Sequence, residues 1–409
     1  MSREEALKER LLRYVSFDTQ SSTTSESFPS TPKQLVLMEE LRCELETIGA
    51  EDVTLDKYGY LMATIPPSKG CELRPVIALI AHVDTSPEVS GEGVKPQIIE
   101  SYDGGDIALS LKASITVAEY PELLKLIGHT LITTDGETLL GADDKAGVAE
   151  IMTVAAELIA NPEVEHGRVR ICFTPDEEIG AGVDFLDLRA LGADFAYTLD
   201  GGAEGELEYE NFNAASAKIE ITGHNHHPGA AKGRMKNALD MANELHSLLP
   251  AVERPQYTEG YEGFYHLTSL SGSVERAEME YIIRDHSLDE FERRKVEIWS
   301  IVDLLQKRHG EEAFKLTLKD QYFNMKRMIE PHPELISRAE EAMQEAGVEP
   351  IICPIRGGTD GARLSFMGLP CPNLFTGGGN FHSRHEYCSL TTMERAVEVV
   401  INLLKLWAK

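Results

Sequence analysis

The segment Val76–Ala81 constrains the fold more than any other part of the sequence, because all six of its residues are apolar. A run of this length is far too short to cross a bilayer. It is instead typical of a strand that is buried on both faces, as in the centre of a parallel sheet. The segment therefore predicts a central strand of an α/β domain.

Helical and strand patterns alternate around this segment. Apolar residues at helical spacing predict helices over residues 7–15, 35–48 and 146–160, the second ending near Gly49. Residues 169–174 and 195–199 have strand patterns. The alternation predicts an α/β domain with a central mixed or parallel sheet flanked by helices, whose sites collect beyond the carboxyl ends of the strands.

The pattern changes near residue 211. Strands are predicted over residues 214–222, 265–271, 278–284 and 314–318, and helices over 235–249 and 288–309. This composition favours an inserted α+β sandwich, a lid with a four-stranded antiparallel sheet and two helices. The 409 residues then divide into a discontinuous domain, 1–210 with 327–409, and an inserted domain, 211–326.

Charge and cysteine content narrow the range of partners. The net charge is −29, which repels phosphate backbones and argues against a nucleic-acid partner. The first 15 residues are charged and amphipathic and lack a signal core, so a cytoplasmic protein without a membrane segment is expected. The six cysteines lack a C-x-x-C pair, which favours free thiols in a reducing compartment over disulfides or a thiolate metal site.

Two motifs place acids at the ends of predicted elements, one after the central strand and one before a helix. His82 and Asp84 end this strand and share one face, so the acid can accept a hydrogen bond from the imidazole. Asp143 and Asp144 precede a helix, in the segment Leu140-Gly-Ala-Asp-Asp-Lys145. Each pattern also has a structural explanation: a strand-end histidine bonded to its neighbour, or a helix cap with a first-turn carboxylate.

Three further motifs follow along the chain. Asp176, Glu177 and Glu178 come after a strand, where a solvated acidic turn is the alternative to a functional site. Asp200 ends another strand and precedes two glycines. A glycine-rich loop near residue 377 carries His382 and His385, and either imidazole could be a ligand.

Together the motifs supply imidazoles and carboxylates at successive strand ends. Such a set of nitrogen and oxygen ligands suits zinc, cobalt or manganese, and one bridging carboxylate can hold two ions about 4 Å apart. Competing chemistries lack their signatures, because the sequence has no H-E-x-x-H, G-x-S-x-G, P-loop or dinucleotide motif.

The order of these motifs resembles the aminoacylase and glutamate-carboxypeptidase superfamily of two-zinc exopeptidases. The closer resemblance is to its tripeptide aminopeptidases. It is carried by the motifs above and by three further segments: His226-His227-Pro-Gly-Ala-Ala-Lys, Glu262-Gly-Phe-Tyr-His-Leu267 and Pro354-Ile-Arg356-Gly-Gly-Thr-Asp-Gly361. The resemblance covers nearly the whole chain.

The resemblance implies a ligand set for two zinc ions per chain, with cobalt or manganese as substitutes. One ion would be held by His82, Asp143 and Asp200, and the other by Asp143, Glu178 and His382. His382 is preferred over His385 because an acid follows it at the family's spacing, and the role of His385 stays open.

The resemblance also implies roles for four other residues. Asp84 would orient His82, and Glu177 would be the general base. His227 would stabilise the tetrahedral intermediate, and Arg356 would bind the substrate carboxylate. A non-proline cis peptide bond is expected between Asp143 and Asp144.

The expected function is therefore that of a two-zinc aminopeptidase acting on short peptides, most of all tripeptides. A dipeptidase, an N-acyl amino acid deacylase or a carboxypeptidase on the same scaffold is the alternative, because the metal ligands do not set specificity. A catalytically inactive binding protein is a further alternative, against which the retention of Glu177 argues. Lid domains of this superfamily often dimerise, so a homodimer also stays open.

Overall fold

A computed structural model describes residues 2–409 and divides the chain into two compact units. Among the residues described, the first unit comprises 2–209, Arg327–Cys353 and Thr359–Lys409. The second comprises Glu210–Lys326 and the short segment Pro354–Gly358, which contains Arg356.

Ten α-helices of 4 to 22 residues are present within residues 2–409. In chain order they are α1 (Arg3–Tyr14), α2 (Gln34–Ile48), α3 (Ala142–Ala160), α4 (Leu188–Leu191), α5 (Ala238–Leu248), α6 (Leu288–His309), α7 (Lys326–Ile329), α8 (Pro333–Glu345), α9 (Asp360–Met367) and α10 (Leu390–Ala408).

The strands are β1 (Glu51–Leu55), β2 (Leu61–Ile65), β3 (Ile77–His82), β4 (Gln97–Ile99), β5 (Ile107–Ala108), β6 (Ser114–Ile115), β7 (Leu131–Thr133), β8 (Val169–Thr174), β9 (Phe195–Gly201), β10 (Glu206–Glu208), β11 (Asn213–Thr222), β12 (Phe264–Gly272), β13 (Arg276–Asp285), β14 (Phe314–Tyr322), β15 (Ile351–Ile352), β16 (Asn373–Phe375), β17 (Gly378–Gly379) and β18 (Tyr387–Ser389).

The first unit is built on a mixed sheet. In the part of the chain that the structure describes, it has eight strands in the order β1-β2-β8-β3-β9-β16-β10-β15. Strand β3 lies between β8 and β9 and is parallel to both. All six of its residues are buried, as the apolar run predicted. The predicted α/β fold with a mixed central sheet is confirmed.

Helices cover this sheet because its side chains are apolar on both faces. Ala78 and Ile80 of β3 share a buried cluster with Leu364 of α9, while α3 packs against β3 and β9. All residues of strand β8 are buried, although apolar and polar residues alternate along part of it. Its Arg170 is accommodated because the guanidinium donates to the carbonyl of Leu191 at 2.8 Å.

A smaller sheet in the first unit, β17-β18-β7-β4, was not predicted. Its strands have only two or three residues each, too few to show a period of two. The sheet places β18 directly after Glu386 and orders the loop that carries His382.

The second unit contains an antiparallel sheet of four strands, β12-β13-β11-β14, among the residues described. Helices α5 and α6 pack on it, around a core that includes Ile219, Met279 and Phe291. The predicted four-stranded sheet with two helices is confirmed. Helix α5 begins at Ala238, three residues later than predicted, because Asn237 caps it by accepting the N–H of Leu239 at 3.0 Å.

Within residues 2–409, no helix combines the length and the apolarity that crossing a membrane requires.

Candidate active site

Neighbouring parallel strands bring the predicted metal ligands of the first unit together. His82 ends β3, Glu178 follows β8, and Asp200 lies near the end of β9. Because these three strands are adjacent and parallel, their carboxyl ends meet at one edge of the sheet. Asp143 at the start of α3 and His382 in the loop after β17 complete the group.

The carboxylate of Asp143 lies between the two histidines. Its Oδ1 is 3.0 Å from Nε2 of His82, and its Oδ2 is 3.2 Å from Nε2 of His382. Asp200 Oδ1 lies 3.4 Å from the same His82 nitrogen, and Glu178 Oε2 lies 2.8 Å from the same His382 nitrogen. The two clusters thus share Asp143, each through a different oxygen. The Asp143–Asp144 peptide bond is cis.

The chemistry of this group fits two divalent cations. Its donors are imidazole nitrogens and carboxylate oxygens, and those of His82, Asp143 and Glu178 lie within 4.8 Å of one another. Burial raises the pKa of Glu178 to about 7 and that of Asp200 to about 6, so crowded carboxylates are costly to ionise here without added positive charge. Bound cations would supply that charge.

Asp144 also lies within ligand distance of His82 and Asp200. Both of its oxygens are already engaged, however. Oδ2 accepts the backbone N–H of His82 at 3.1 Å, and Oδ1 accepts the N–H of Gly147 at 3.2 Å. We therefore assign Asp144 to holding the strand end rather than to a cation.

Asp84 connects two parts of the site. Nδ1 of His82 lies 3.0 Å from the backbone oxygen of Asp84 and 3.3 Å from its Oδ1. The same carboxylate accepts the backbone N–H groups of Glu177 and Glu178 at 3.0 and 3.2 Å. Asp84 therefore fixes the His82 ring and the acidic turn together.

Glu177 lies in a short 3-10 turn, Glu177–Ile179, that follows β8. Burial, together with the nearby carboxylate of Asp200, raises the pKa of Glu177 well above its usual value. A carboxylate with a raised pKa is a better proton acceptor, which suits general base catalysis.

Glu386 makes contacts beside the site that the sequence did not reveal. Its Oε2 accepts the N–H groups of Leu140 and Gly141 at 2.7 and 2.9 Å, and its Oε1 accepts the N–H of Asp143 at 3.1 Å. The buried carboxylate thus holds the loop that presents Asp143. Its spacing four residues after His382 was the only signal in the sequence.

Lys145 and Asp360 lie in two of the sequence motifs, and both make buried contacts. Lys145 is buried and donates to the carbonyl of Phe17 at 2.7 Å, and burial lowers its pKa to about 8. Asp360 accepts the hydroxyl of Thr174 at 3.0 Å. Its carboxylate packs on Gly182, where a Cβ would lie 2.3 Å from Oδ1.

His227 and Arg356 belong to the second unit. Nδ1 of His227 accepts the N–H of Gly229 at 3.1 Å. The guanidinium of Arg356 donates to the carbonyls of Gly260 and Glu262 at 2.6 and 3.1 Å and to the hydroxyl of Thr258 at 3.0 Å. His385 in the first unit lies 3.0 Å from the Tyr120 hydroxyl through Nδ1.

Comparisons with known proteins agree on the family of this chain. Residues 133–406 match the model of peptidase family M20/M25/M40. A relative from Clostridium novyi named peptidase T is 53% identical over 407 residues, covering 99% of this chain and 100% of the relative. These matches confirm the resemblance on which the sequence-based expectations rested.

Solved structures share the fold. The aminopeptidase PepT from Bacillus cereus superposes with a TM-score of 0.79 at 21% identity, covering 99% of each chain. A Bacillus subtilis protein described as a dinuclear metal-binding peptidase of the M20 family has a TM-score of 0.65 at 14% identity, covering 99% of this chain and 98% of its own. The chain belongs to peptidase family M20/M25/M40.

Proposed function

We propose that the chain is a two-zinc aminopeptidase that removes the N-terminal residue from short peptides, with tripeptides as its main substrates. The observation that carries this proposal is the position of Asp143, whose two oxygens face His82 and His382 from opposite clusters. The name of the Clostridium novyi relative and the PepT structure support aminopeptidase specificity over the other activities of the scaffold.

The resemblance divides the ligands into two sets, and the distances around Asp143 support that division. His82, Asp143 and Asp200 would hold one ion, and Asp143, Glu178 and His382 the other. Two ions so held would polarise the scissile carbonyl and lower the pKa of the attacking water. The absence of thiolates from the group is compatible with zinc and equally with cobalt or manganese.

The protein's own residues would carry the proton. Glu177 accepts a proton from the attacking water and then passes it to the amine nitrogen that leaves. The Asp84 carboxylate accepts the backbone N–H of Glu177 at 3.0 Å. This bond keeps the Glu177 carboxylate directed at the site during both proton transfers. His227, placed by the resemblance, donates to the oxyanion as charge develops there.

Arg356 is proposed to act on the substrate carboxylate, as the resemblance implies. Its hydrogen bonds to Thr258, Gly260 and Glu262 support a second, structural role, in which the guanidinium holds the loop at residues 258–262 in shape. The first unit is then the catalytic domain and the second the lid.

A substrate panel tests the function. The purified protein, reconstituted with zinc, is assayed on a tripeptide, the matching dipeptide, the N-acetylated tripeptide and an N-acetyl amino acid. We expect turnover of the tripeptide with release of its N-terminal residue, and little turnover of the N-acetylated forms. Preferred cleavage of the N-acetyl amino acid, or release of the C-terminal residue, would replace this proposal with a deacylase or a carboxypeptidase.

A further inference from the structure

The side chain of Asp176, the residue before the proposed base, accepts three hydrogen bonds from two residues. Asp176 is fully buried. Its Oδ2 accepts the backbone N–H of Ser30 at 2.5 Å, and its Oδ1 accepts both the Ser30 hydroxyl and Nε2 of Gln34, the latter at 2.7 Å. Gln34 returns a bond, because its Oε1 accepts the N–H of Asp176 at 3.1 Å.

These bonds fix an uncommon backbone conformation. Asp176 has a φ of 56°, in the left-handed region that residues other than glycine rarely occupy. Aspartate tolerates this region when its side chain finds hydrogen-bond partners. The chain changes direction at Asp176 and enters the turn at Glu177, so the bonds to Ser30 and Gln34 set the direction in which Glu177 leaves β8.

The turn is therefore held at two points. The Asp84 carboxylate holds it through the N–H groups of Glu177 and Glu178. The Asp176 side chain holds it through α2 and the loop before α2, which are 142 and 146 residues away in sequence. Asp84 also contacts His82, whereas the side-chain bonds of Asp176 go to Ser30 and Gln34 alone among the residues described.

We propose that Asp176, through Ser30 and Gln34, is a positioning residue for the general base. It sets the orientation of the Glu177 carboxylate without binding metal or substrate. This inference rests on the proposed role of Glu177. Its physical basis is that proton transfer requires the base within hydrogen-bond reach of the water, so a displacement on the order of 1 Å lowers the rate by about a hundredfold.

Asp176→Asn is the direct test. Asparagine keeps the size but places an amide donor against the donors of Ser30 or Gln34, so one bond is lost. We expect kcat to fall about tenfold to a hundredfold, KM to change less than about threefold, and two metal ions to remain bound. Ser30→Ala removes the hydroxyl that donates to Oδ1 of Asp176 and that also accepts the N–H of Ser22 at 2.9 Å, while the bonds of Asp176 to the Ser30 N–H and to Gln34 stay in place. It should show the same pattern to a smaller extent, which keeps the test valid if Asp176→Asn folds poorly.

A matched control separates positioning from general loosening. Tyr197→Phe deletes two buried hydrogen bonds in the same unit: the hydroxyl donates to the carbonyl of Leu335 at 2.9 Å and accepts the indole N–H of Trp407 at 3.2 Å. We expect it to lower Tm about as much as Ser30→Ala does and to leave kcat unchanged. An equal loss of kcat in Tyr197→Phe would overturn the positioning role.

The decisive experiment combines Asp176→Asn with Glu177→Gln in single-turnover assays at high enzyme concentration. If Asp176 acts through Glu177, adding Asp176→Asn to the Glu177→Gln variant lowers the residual rate of that variant by less than about twofold. A loss of the same factor in both backgrounds, or loss of a metal ion, contradicts the inference. Full activity of the single variant Glu177→Gln would instead refute the base itself, so the two failures are distinguishable.

Discussion

The carboxylate of Asp84 accepts the backbone N–H of Glu177 at 3.0 Å. The same carboxylate lies 3.3 Å from Nδ1 of His82, so one buried acid fixes both a proposed metal ligand and the proposed base. A substitution at Asp84 should therefore disturb metal binding and proton transfer together. Variants of the other site residues separate the two functions more cleanly.

Glu177→Gln should lower turnover severely while both metal ions stay bound. Glutamine has nearly the same size but accepts no proton, and we expect kcat to fall by about a thousandfold or more. The check is kcat together with metal stoichiometry by elemental analysis. Glu345→Gln on the exposed face of α8 is the matched control and should keep full activity. Near-normal kcat in Glu177→Gln with metal bound would remove Glu177 from the mechanism.

Asp143→Ala should weaken both metal sites, because its two oxygens face both clusters. Asp200→Ala and His382→Ala each belong to one cluster and should mainly lower the occupancy of one ion. Titration of the chelator-treated protein with zinc, followed calorimetrically, measures the two affinities. Tight binding of two ions by Asp143→Ala would refute the bridge. Chelation of the unaltered protein should abolish activity, and added zinc should restore it.

Glu386→Gln should impair metal binding without touching a ligand. The carboxylate accepts three backbone N–H groups from the loop that presents Asp143, and an amide offers only one accepting oxygen. A buried N–H left without a partner costs about 1 to 3 kcal/mol. We expect a lower Tm and weaker zinc affinity, measured on the metal-free and loaded protein. Unchanged zinc affinity would limit Glu386 to a role in stability.

Glu150→Gln should make the protein more stable at neutral pH. Glu150 lies on α3, fully buried, and neither carboxylate oxygen has a hydrogen-bond partner within residues 2–409. Burial therefore raises the pKa of Glu150 well above 4.5, the ordinary value. At a pH between 4.5 and the raised pKa, the folded chain binds one proton more than the unfolded chain. The free energy of unfolding therefore falls as pH rises through this range, by up to about 1.4 kcal/mol per pH unit.

The measurement for Glu150 is Tm as a function of pH from 5 to 8. Glutamine carries no titratable proton. We therefore expect the Tm of the Glu150→Gln variant to fall less steeply with rising pH than the Tm of the unaltered protein, above the ordinary carboxyl pKa. The exposed-site variant Glu345→Gln should keep the original slope. Identical slopes in all three proteins would mean that Glu150 does not hold a proton in the folded state.

His227→Ala should lower kcat by roughly a hundredfold or more, the cost of losing one oxyanion donor. KM should change less than kcat, because this interaction strengthens in the transition state, and zinc content should stay intact. His224→Ala and His226→Ala are the matched controls in the same segment and should have much smaller effects. Full activity or loss of zinc in His227→Ala would contradict the assignment.

The sequence by itself determined the architecture and the chemical type of the site. The apolar run ending at His82 and the acids after β8 and β9 are local patterns, and each reflects a strand that is buried until its carboxyl end. Because parallel neighbours end at the same edge, these patterns also predicted that the side chains would meet. The family resemblance then ordered them into ligand sets.

Only the tertiary structure decided which side chains hold the site in place. Glu386 binds the N–H of Leu140 from 246 residues away, and Asp176 binds Ser30 across 146 residues. Such bonds join a carboxylate to backbone groups or to single polar side chains, neither of which leaves a periodic signal in sequence. The sequence showed Asp176 as one of three adjacent acids, and the fold turned it away from the other two because Ser30 and Gln34 satisfy its buried charge.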